Sequence, residues 1–317
     1  MILSVNILNP SNDELIMELT NPEACGFTIR KIDGLGPTKS NINIYDVPSI
    51  DGGLFSSART QYRTINIKLG CMWIKNDGRT EHTTPLIEDS RHLSYKFFPL
   101  KRKIRLEVVT DYRTLYIDGY IEANEPDIFS KDETLSISVV CPDPNFYASD
   151  TEYGYINYPD QNEFEFPFDN NSLEEKLIEF SSMRDANSCY INYKGDNITG
   201  VTMELYFMHD FPRGQEILVS FVNKIKSTTI TVNPSKVYRT SKFDIYRGDR
   251  ILIHGRPGHK GVEFHRYNKV YNVFNAIKLE DDWPILYPGD NTVILKASGS
   301  TDAIKGRVIY NTLYDGV

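Results

Sequence analysis

The stretch that most constrains this chain runs from Thr134 to Tyr147, Thr-Leu-Ser-Ile-Ser-Val-Val-Cys-Pro-Asp-Pro-Asn-Phe-Tyr. Leu135, Ile137 and Val139 alternate with Ser136 and Ser138, the period-two pattern of a half-buried strand. Pro142 and Pro144 close that strand, because proline offers no N–H to a ladder and biases the preceding residue towards extended backbone. Phe146 and Tyr147 follow as aromatic anchors that can clamp the seam onto a neighbouring body. The seam divides the chain into two expected modules, residues 1–147 and 148–317. At 317 residues, the length accommodates two domains, each with its own core.

Twenty Tyr and 16 Phe, with plentiful β-branched residues, suit pleated, half-buried surfaces, so a mainly β fold is expected. The formal charge of −8 is shared evenly: residues 1–147 carry 16 basic and 20 acidic groups, and the remainder carries 19 and 23. Neither half has the basic excess that phosphate-backbone binding needs, which argues against sequence-independent and sequence-specific nucleic-acid affinity. The start, Met1-Ile2-Leu3-Ser4-Val5-Asn6, lacks the basic and long apolar regions of a secretory signal, and no apolar run approaches the ~18 residues of a membrane span. Cys25, Cys71, Cys141 and Cys189 are far apart with no Cys-x-x-Cys pair. Reduced, buried thiols in a cytosol are the expectation, and the sequons at Asn170 and Asn197 are then accidental.

Strands are predicted at Leu15–Leu19, Phe27–Ile32 and Ile42–Tyr45. Between them lies Gly34-Leu35-Gly36-Pro37. The stretch from Ser49 to Arg59 reads as a flexible arm: Asp51-Gly52 is a turn signal, Gly53 adds freedom, and Leu54 and Phe55 place two apolar side chains near the tip. Such a pair either folds back on its own sheet or packs on a neighbouring subunit. Asp51, Gly52, Gly53, Leu54, Phe55 and Arg59 are accordingly the candidate interface residues. Ile65, Ile67 and Leu69 then mark a strand, Lys75–Thr84 a polar loop, and Pro85–Phe98 a helix with Thr84 as N-cap and an apolar stripe through Leu86, Leu93 and Phe97. Ile104, Leu106 and Val108 alternate with charges, turn at Asp111-Tyr112-Arg113, and return through Leu115–Tyr120.

These parts together resemble a known family. The arm feeding Arg63-Thr64-Ile65-Asn66-Ile67, the helix Ile87-Glu88-Asp89-Ser90-Arg91-His92-Leu93-Ser94-Tyr95-Lys96-Phe97-Phe98 and the closing Val140-Cys141-Pro142-Asp143-Pro144-Asn145-Phe146-Tyr147 occur in the order of the belt domain of distal tail proteins, the siphovirus-type tail components of phages with long, non-contractile tails. The resemblance implies a β-sandwich with one helix, related to tail-tube folds, closing as a hexameric ring around the DNA channel, single or stacked in pairs. It further implies a virion tail-tip location after synthesis in the host cytoplasm. The partners implied are the major tail-tube protein, a tail-associated lysin or tip protein, and a receptor-binding protein.

In the second module Phe164, Phe166 and Phe168 alternate with Glu163 and Glu165. The stretch from Ser172 fits a capped helix or a strand equally well, and stays open. Short strands follow at Val201–Phe207, Ile217–Val222, Thr228–Val232, Arg250–His254, Val262–His265, Thr292–Lys296 and Arg307–Tyr310, a sandwich or jelly-roll spacing. Tyr193-Lys194-Gly195-Asp196 and Trp283-Pro284-Ile285-Leu286-Tyr287-Pro288-Gly289-Asp290-Asn291 resemble the family's galectin-like C-terminal domain, more loosely than the first module does.

Catalytic and metal chemistry finds little support. His254, His259 and His265 flank Gly255-Arg256-Pro257-Gly258, yet no carboxylate or cysteine stands at ligand spacing. Glu280-Asp281-Asp282 lacks the spaced oxygens and glycine of a calcium loop. Glu163 and Glu165, two apart on a strand, read as the wet side of that strand rather than a glycosidase pair. No nucleophile elbow, zinc-protease helix or phosphate loop occurs. No cofactor, no metal and no enzyme activity are expected. The competing expectations are a carbohydrate-binding, lectin-like adhesion protein and a peptidoglycan hydrolase.

Overall fold

The computed structural model describes residues 1–48, 51–71, 87–127, 134–157, 187–211, 214–234, 236, 245–278, 280–298 and 303–317. The chain is mainly β and divides into two compact units. Unit 1 comprises Met1–Asp150 and Leu313–Val317, and unit 2 comprises Thr151–Thr312. The sequence places 313–317 with the second module, whereas in the structure these residues lie in unit 1.

Unit 1 contains β1 (Ile2–Leu8), β2 (Leu15–Glu18), α1 (Pro22–Cys25), β3 (Phe27–Asp33), β4 (Ser40–Asp46), β5 (Gly53–Thr60), β6 (Arg63–Cys71), α2 (Ile87–Phe97), β7 (Lys103–Thr110), β8 (Thr114–Asp127), β9 (Thr134–Cys141) and the first residues of β10 (Phe146–Ile156). Its organising element is the long strand β8. The first half pairs antiparallel with β7, Leu106 facing Ile117 and Val108 facing Leu115. The second half pairs with β9, with a register break between Ile121 and Ala123. A bulge inserts one extra residue and bends a strand, so β8 serves two layers. One layer runs β2-β1-β7-β8, with β10 on the other side of β8, and the other runs β8-β9-β6-β3. Apolar residues on alternate positions of both layers, among them Val5, Ile7, Ile65, Ile67, Leu106, Ile117, Ile137 and Val139, are buried in one cluster. Strand alternation puts every second side chain on the inner face, which is why the period-two runs mark this core.

Thr84 and the helix start at Pro85–Leu86 lie outside the described residues. Further along α2, Ser94 is buried, and Leu93 and Phe97 pack against the cluster. Phe98, just past the helix, is wholly buried. The single-turn α1 has no counterpart in the predicted elements. Four residues are too few to show a helical period, and the turn is instead made by its ends: the Asn21 side chain accepts from the Ala24 N–H, and Gly26 closes it in the left-handed region. Phe146 and Tyr147 also differ from expectation. Expected as anchors onto a neighbouring body, both instead open strand β10, Phe146 is buried in unit 1's own core, and Tyr147 stacks on Tyr116 with centroids 5.5 Å apart.

Unit 2 continues β10 and adds β11 (Ser188–Tyr193), β12 (Thr199–Gly200), β13 (Thr202–Phe207), β14 (Ile217–Asn223), β15 (Ser227–Val232), β16 (Arg250–His254), β17 (Gly261–Arg266), β18 (Lys269–Asn272), a 3-10 turn at Phe274–Ala276, β19 (Ile285–Leu286), β20 (Gly289–Ala297) and β21 (Ile304–Tyr314). One sheet has the order β18-β17-β16-β13-β21 and a second the order β11-β20-β14-β15. Met203, Leu205, Ile251, Ile253, Val262 and Phe264 from the first, and Val219, Phe221, Ile230, Val293 and Leu295 from the second, share one buried cluster. That is the packing of a sandwich, two sheets closing their apolar faces on each other. The stretch Glu163–Phe168 and the ambiguous segment at Ser172 lie outside the described residues.

Candidate assembly interface

Strands β4 and β5 form a two-stranded sheet of their own. The expected flexible arm is thus the second strand and turn of a β-ribbon, because its residues pair in register with β4: Asn41 with Arg59, Ile42 with Ala58, Asn43 with Ser57, Ile44 with Phe55, Tyr45 with Leu54, and Asp46 with Gly53. The Asn43 amide donates to the Ser57 hydroxyl at 2.9 Å. Asp51 and Gly52 lie in the connecting turn, and Gly52 has a φ of +89°, a conformation that L side chains rarely adopt. At Gly53 a Cβ would lie 2.3 Å from Ile44 Cγ2 and 3.0 Å from the Tyr45 carbonyl oxygen, so any larger residue there would have to displace the Ile44 side chain.

The register skips Ser56, a bulge between the Asn43 and Ile44 rungs. Without that extra residue Phe55 and Ala58, three apart, would fall on opposite faces. With it, Phe55 and Ala58 join Ile42 and Ile44 on one face. Tyr45 and Leu54 lie on the other, beside Asn43 and Ser57. Every residue of β5 is exposed. Leu54 is 57% and Phe55 67% exposed, with Ile42, Ile44 and Tyr45 similarly open. The apolar pair is left open to solvent in the single chain, and all six candidate residues sit on or beside one exposed ribbon.

The root of the ribbon is built around a residue that the sequence did not single out. Arg63 opens β6 immediately after the ribbon, and is 3% exposed. Its guanidinium donates to four backbone carbonyls: Pro144 at 2.7 Å, Gly34 at 2.6 Å, Asp315 at 2.6 Å, and Gly36. It also stands over the Phe146 ring at 4.7 Å. Burial pulls this guanidinium below its ordinary value, against the nearby Cys141 and Asp315, which raise it. A glycine is obligatory at Gly34, where φ is +92° and a Cβ would meet the Thr64 carbonyl oxygen at 2.3 Å. The available signal was faint: an arginine bordering an apolar strand, close to a Gly-Leu-Gly loop.

The other candidates separate in the structure. His254 and His265 each bring a ring nitrogen towards the Glu263 carboxylate, at 3.8 and 2.8 Å, a contact across the β16–β17 pair that residue spacing did not reveal. The His259 backbone N–H belongs to the turn, donating to the Arg256 carbonyl. Among the described residues no group of three or more His, Cys, Asp or Glu side chains could hold a metal ion. Asp281 accepts from the Thr231 N–H at 2.6 Å, and Asp282 pairs with Lys226 at 3.3 Å, so two of the three acidic residues are engaged in local structure. Tyr193 is buried edge-on to Tyr310. Asn291 is buried where it ties the Tyr287–Gly289 turn, its amide donating to both carbonyls, and Gly289 has a φ of +90°. Among the described residues no helix is long and apolar enough to cross a membrane.

Solved structures with similar folds match essentially the whole chain. The Dit protein of phage SPP1, described as a paradigm of the hub adsorption apparatus in phages infecting Gram-positive hosts, superposes with a TM-score of 0.63 at 13% identity, over 98% of either chain. A chain of the phage P2 baseplate in its activated, calcium-containing conformation matches with a TM-score of 0.50 at 15% identity, over all of both chains. No family model and no curated protein matches the sequence. At these identities the likeness shows that the fold is shared.

Proposed function

We propose that this chain is a distal tail protein of a long-tailed phage, a structural hub rather than an enzyme, whose copies close into a hexameric ring joining the tail tube to the tip or baseplate and leaving a passage for DNA. The observation that carries the reading is the exposed apolar ribbon on a fold shared end to end with a phage hub protein. A soluble monomer gains nothing from holding Ile42, Ile44, Leu54 and Phe55 in water. Burying each against another surface stabilises by roughly 1.5–3 kcal/mol. Ribbon on one copy against a different patch on the next is a heterologous contact, and such contacts make rings when the rotation closes. The six residues Asp51, Gly52, Gly53, Leu54, Phe55 and Arg59 are the proposed subunit interface.

Unit 2, with its two facing sheets, fits the galectin-like domain that the resemblance implies. In this reading it is the part that meets a receptor-binding protein, while the ring meets the tube protein on one side and a lysin or tip protein on the other. Mass photometry of the purified protein at micromolar concentration tests the central point. Particles of six copies, or of twelve where rings stack, are expected, with sixfold rings under the electron microscope. A folded protein that stays monomeric would overturn the reading.

A further inference from the structure

We propose that Leu313–Val317 is a strap that, through Arg63 and Leu35, sets the root of the exposed ribbon. The need for such a device follows from the ribbon itself. β4 and β5 pair only with each other among the described strands, and an isolated two-stranded hairpin is marginal in water. Its direction is therefore decided at its root, residues 34–39 on the way in and 61–63 on the way out, where the Gln61 N–H donates to the Lys39 carbonyl at 3.3 Å.

Hydrogen bonds, a close backbone approach, ring stacking and core packing bring the strap to that root or seat it in unit 1. Arg63 holds the carbonyls of Gly34, Gly36 and Asp315 with one guanidinium, tying the incoming strand to the strap. The Val317 N–H donates to the Leu35 carbonyl at 3.0 Å. Gly316 lies so close that a Cβ would stand 2.9 Å from the Leu35 oxygen and 3.2 Å from Gly36 backbone atoms. Beyond the root, Arg113 stacks over the Tyr314 ring at 4.0 Å and donates to the Gly316 carbonyl at 3.4 Å. Tyr314 and Val317 pack against unit 1's core. Only arginine suits the central position: its planar fork reaches several acceptors at fixed angles, whereas a lysine ammonium is a single point with three donors.

The strap follows residues 151–312 in the chain but completes unit 1. Ribbon placement therefore depends on residues that follow unit 2 in the chain. Arg63 is a positioning residue here, acting on the ribbon through the backbone it holds.

The test uses the full chain carrying Leu54→Ser and Phe55→Ser, so that no subunit contact protects the ribbon. Hydrogen exchange is compared with and without Arg63→Lys, and separately Gly316→Ala, which crowds the strap while leaving the guanidinium in place. Amides of residues 35–46 and 53–61 are expected to exchange about tenfold faster in both variants, with Thr202–Phe207 unchanged. Unchanged exchange at the root, or equal acceleration in Thr202–Phe207, would overturn the strap. A second arm restores Leu54 and Phe55, rests on the ring reading above, and asks by mass photometry whether either strap variant depletes the ring about tenfold. Full ring formation despite a loosened root would overturn the strap's part in assembly. Absence of rings in the unaltered protein would instead reject the ring reading and leave the exchange result to decide the strap.

Discussion

Cys141 and Cys189 show burial, more than any neighbouring group, setting the chemistry of a residue. Removal from water pushes both thiols up to about 12, outweighing the nearby Arg63 guanidinium at Cys141 and the Val293 backbone at Cys189. At pH 8 almost no thiolate exists at either site, and the thiolate is the reactive form. Iodoacetamide at pH 8 is therefore expected to leave both unmodified in the native protein and to label both in urea, read by peptide mass spectrometry. The linkage has a definite sign. In the unfolded chain these thiols ionise near 9 and in the folded one near 12, so the unfolded state loses protons first and stability falls as pH rises through that window. Replacing both with Ala is expected to flatten the part of the Tm decline between pH 9 and 11 that they cause, and an unchanged slope would contradict this account.

The ribbon is the element whose properties are least explained by its own subunit. Its apolar side chains contribute little to the fold of a single copy, because they remain exposed. Changing Leu54 and Phe55 together to Ser is thus expected to shift the stability of the monomer by less than about 0.5 kcal/mol, the usual range for surface sites. The same double change is expected to abolish the ring. Denaturant titration of dilute protein and mass photometry of concentrated protein separate the two effects. A large loss of monomer stability would mean that the pair packs within its own subunit.

At the scale of the molecule, the two cores are built differently: unit 2 is continuous in the chain and unit 1 is not. A fragment of residues 1–150 loses the Asp315 acceptor of Arg63 and the Val317 donor to Leu35. It leaves a buried guanidinium short of a partner, at a cost of about 1–3 kcal/mol. The fragment is expected to melt below the same unit in the full chain, and calorimetry of both would show it; equal transitions would count against the closing role of the last five residues. Net charge bears on assembly as well. Each copy carries −8, so copies repel, but physiological salt screens charges beyond ~8 Å while leaving short-range burial intact. Raising sodium chloride from 20 to 150 mM is expected to strengthen self-association several-fold, measured as the ring fraction at fixed concentration.

Much of the strand content was legible because the contrast between core and water acts on alternate residues of one short stretch. Ile65-Ile67-Leu69, Ile104-Leu106-Val108 and Leu135-Ile137-Val139 announce their inner faces without reference to anything else, and Arg250–His254 matches its strand end to end. Asp51-Gly52-Gly53 announces its turn for a related reason, since few sequences other than glycine-rich ones tolerate that backbone. The sequence by itself therefore determined a mainly β chain with two cores, a helix between β6 and β7, and an apolar pair next to a turn. Only the tertiary structure decided what those parts meet. It made the arm a ribbon through pairing with β4, held both apolar faces in the open, and used the bulge at Ser56 to bring Phe55 and Ala58 to one side. It also gathered around Arg63 the carbonyls of residues 34, 36, 144 and 315, and returned residues 313–317 to unit 1. Backbone carbonyls are the same in every residue and their partners lie up to 252 positions away, so no local pattern of side chains could have recorded them.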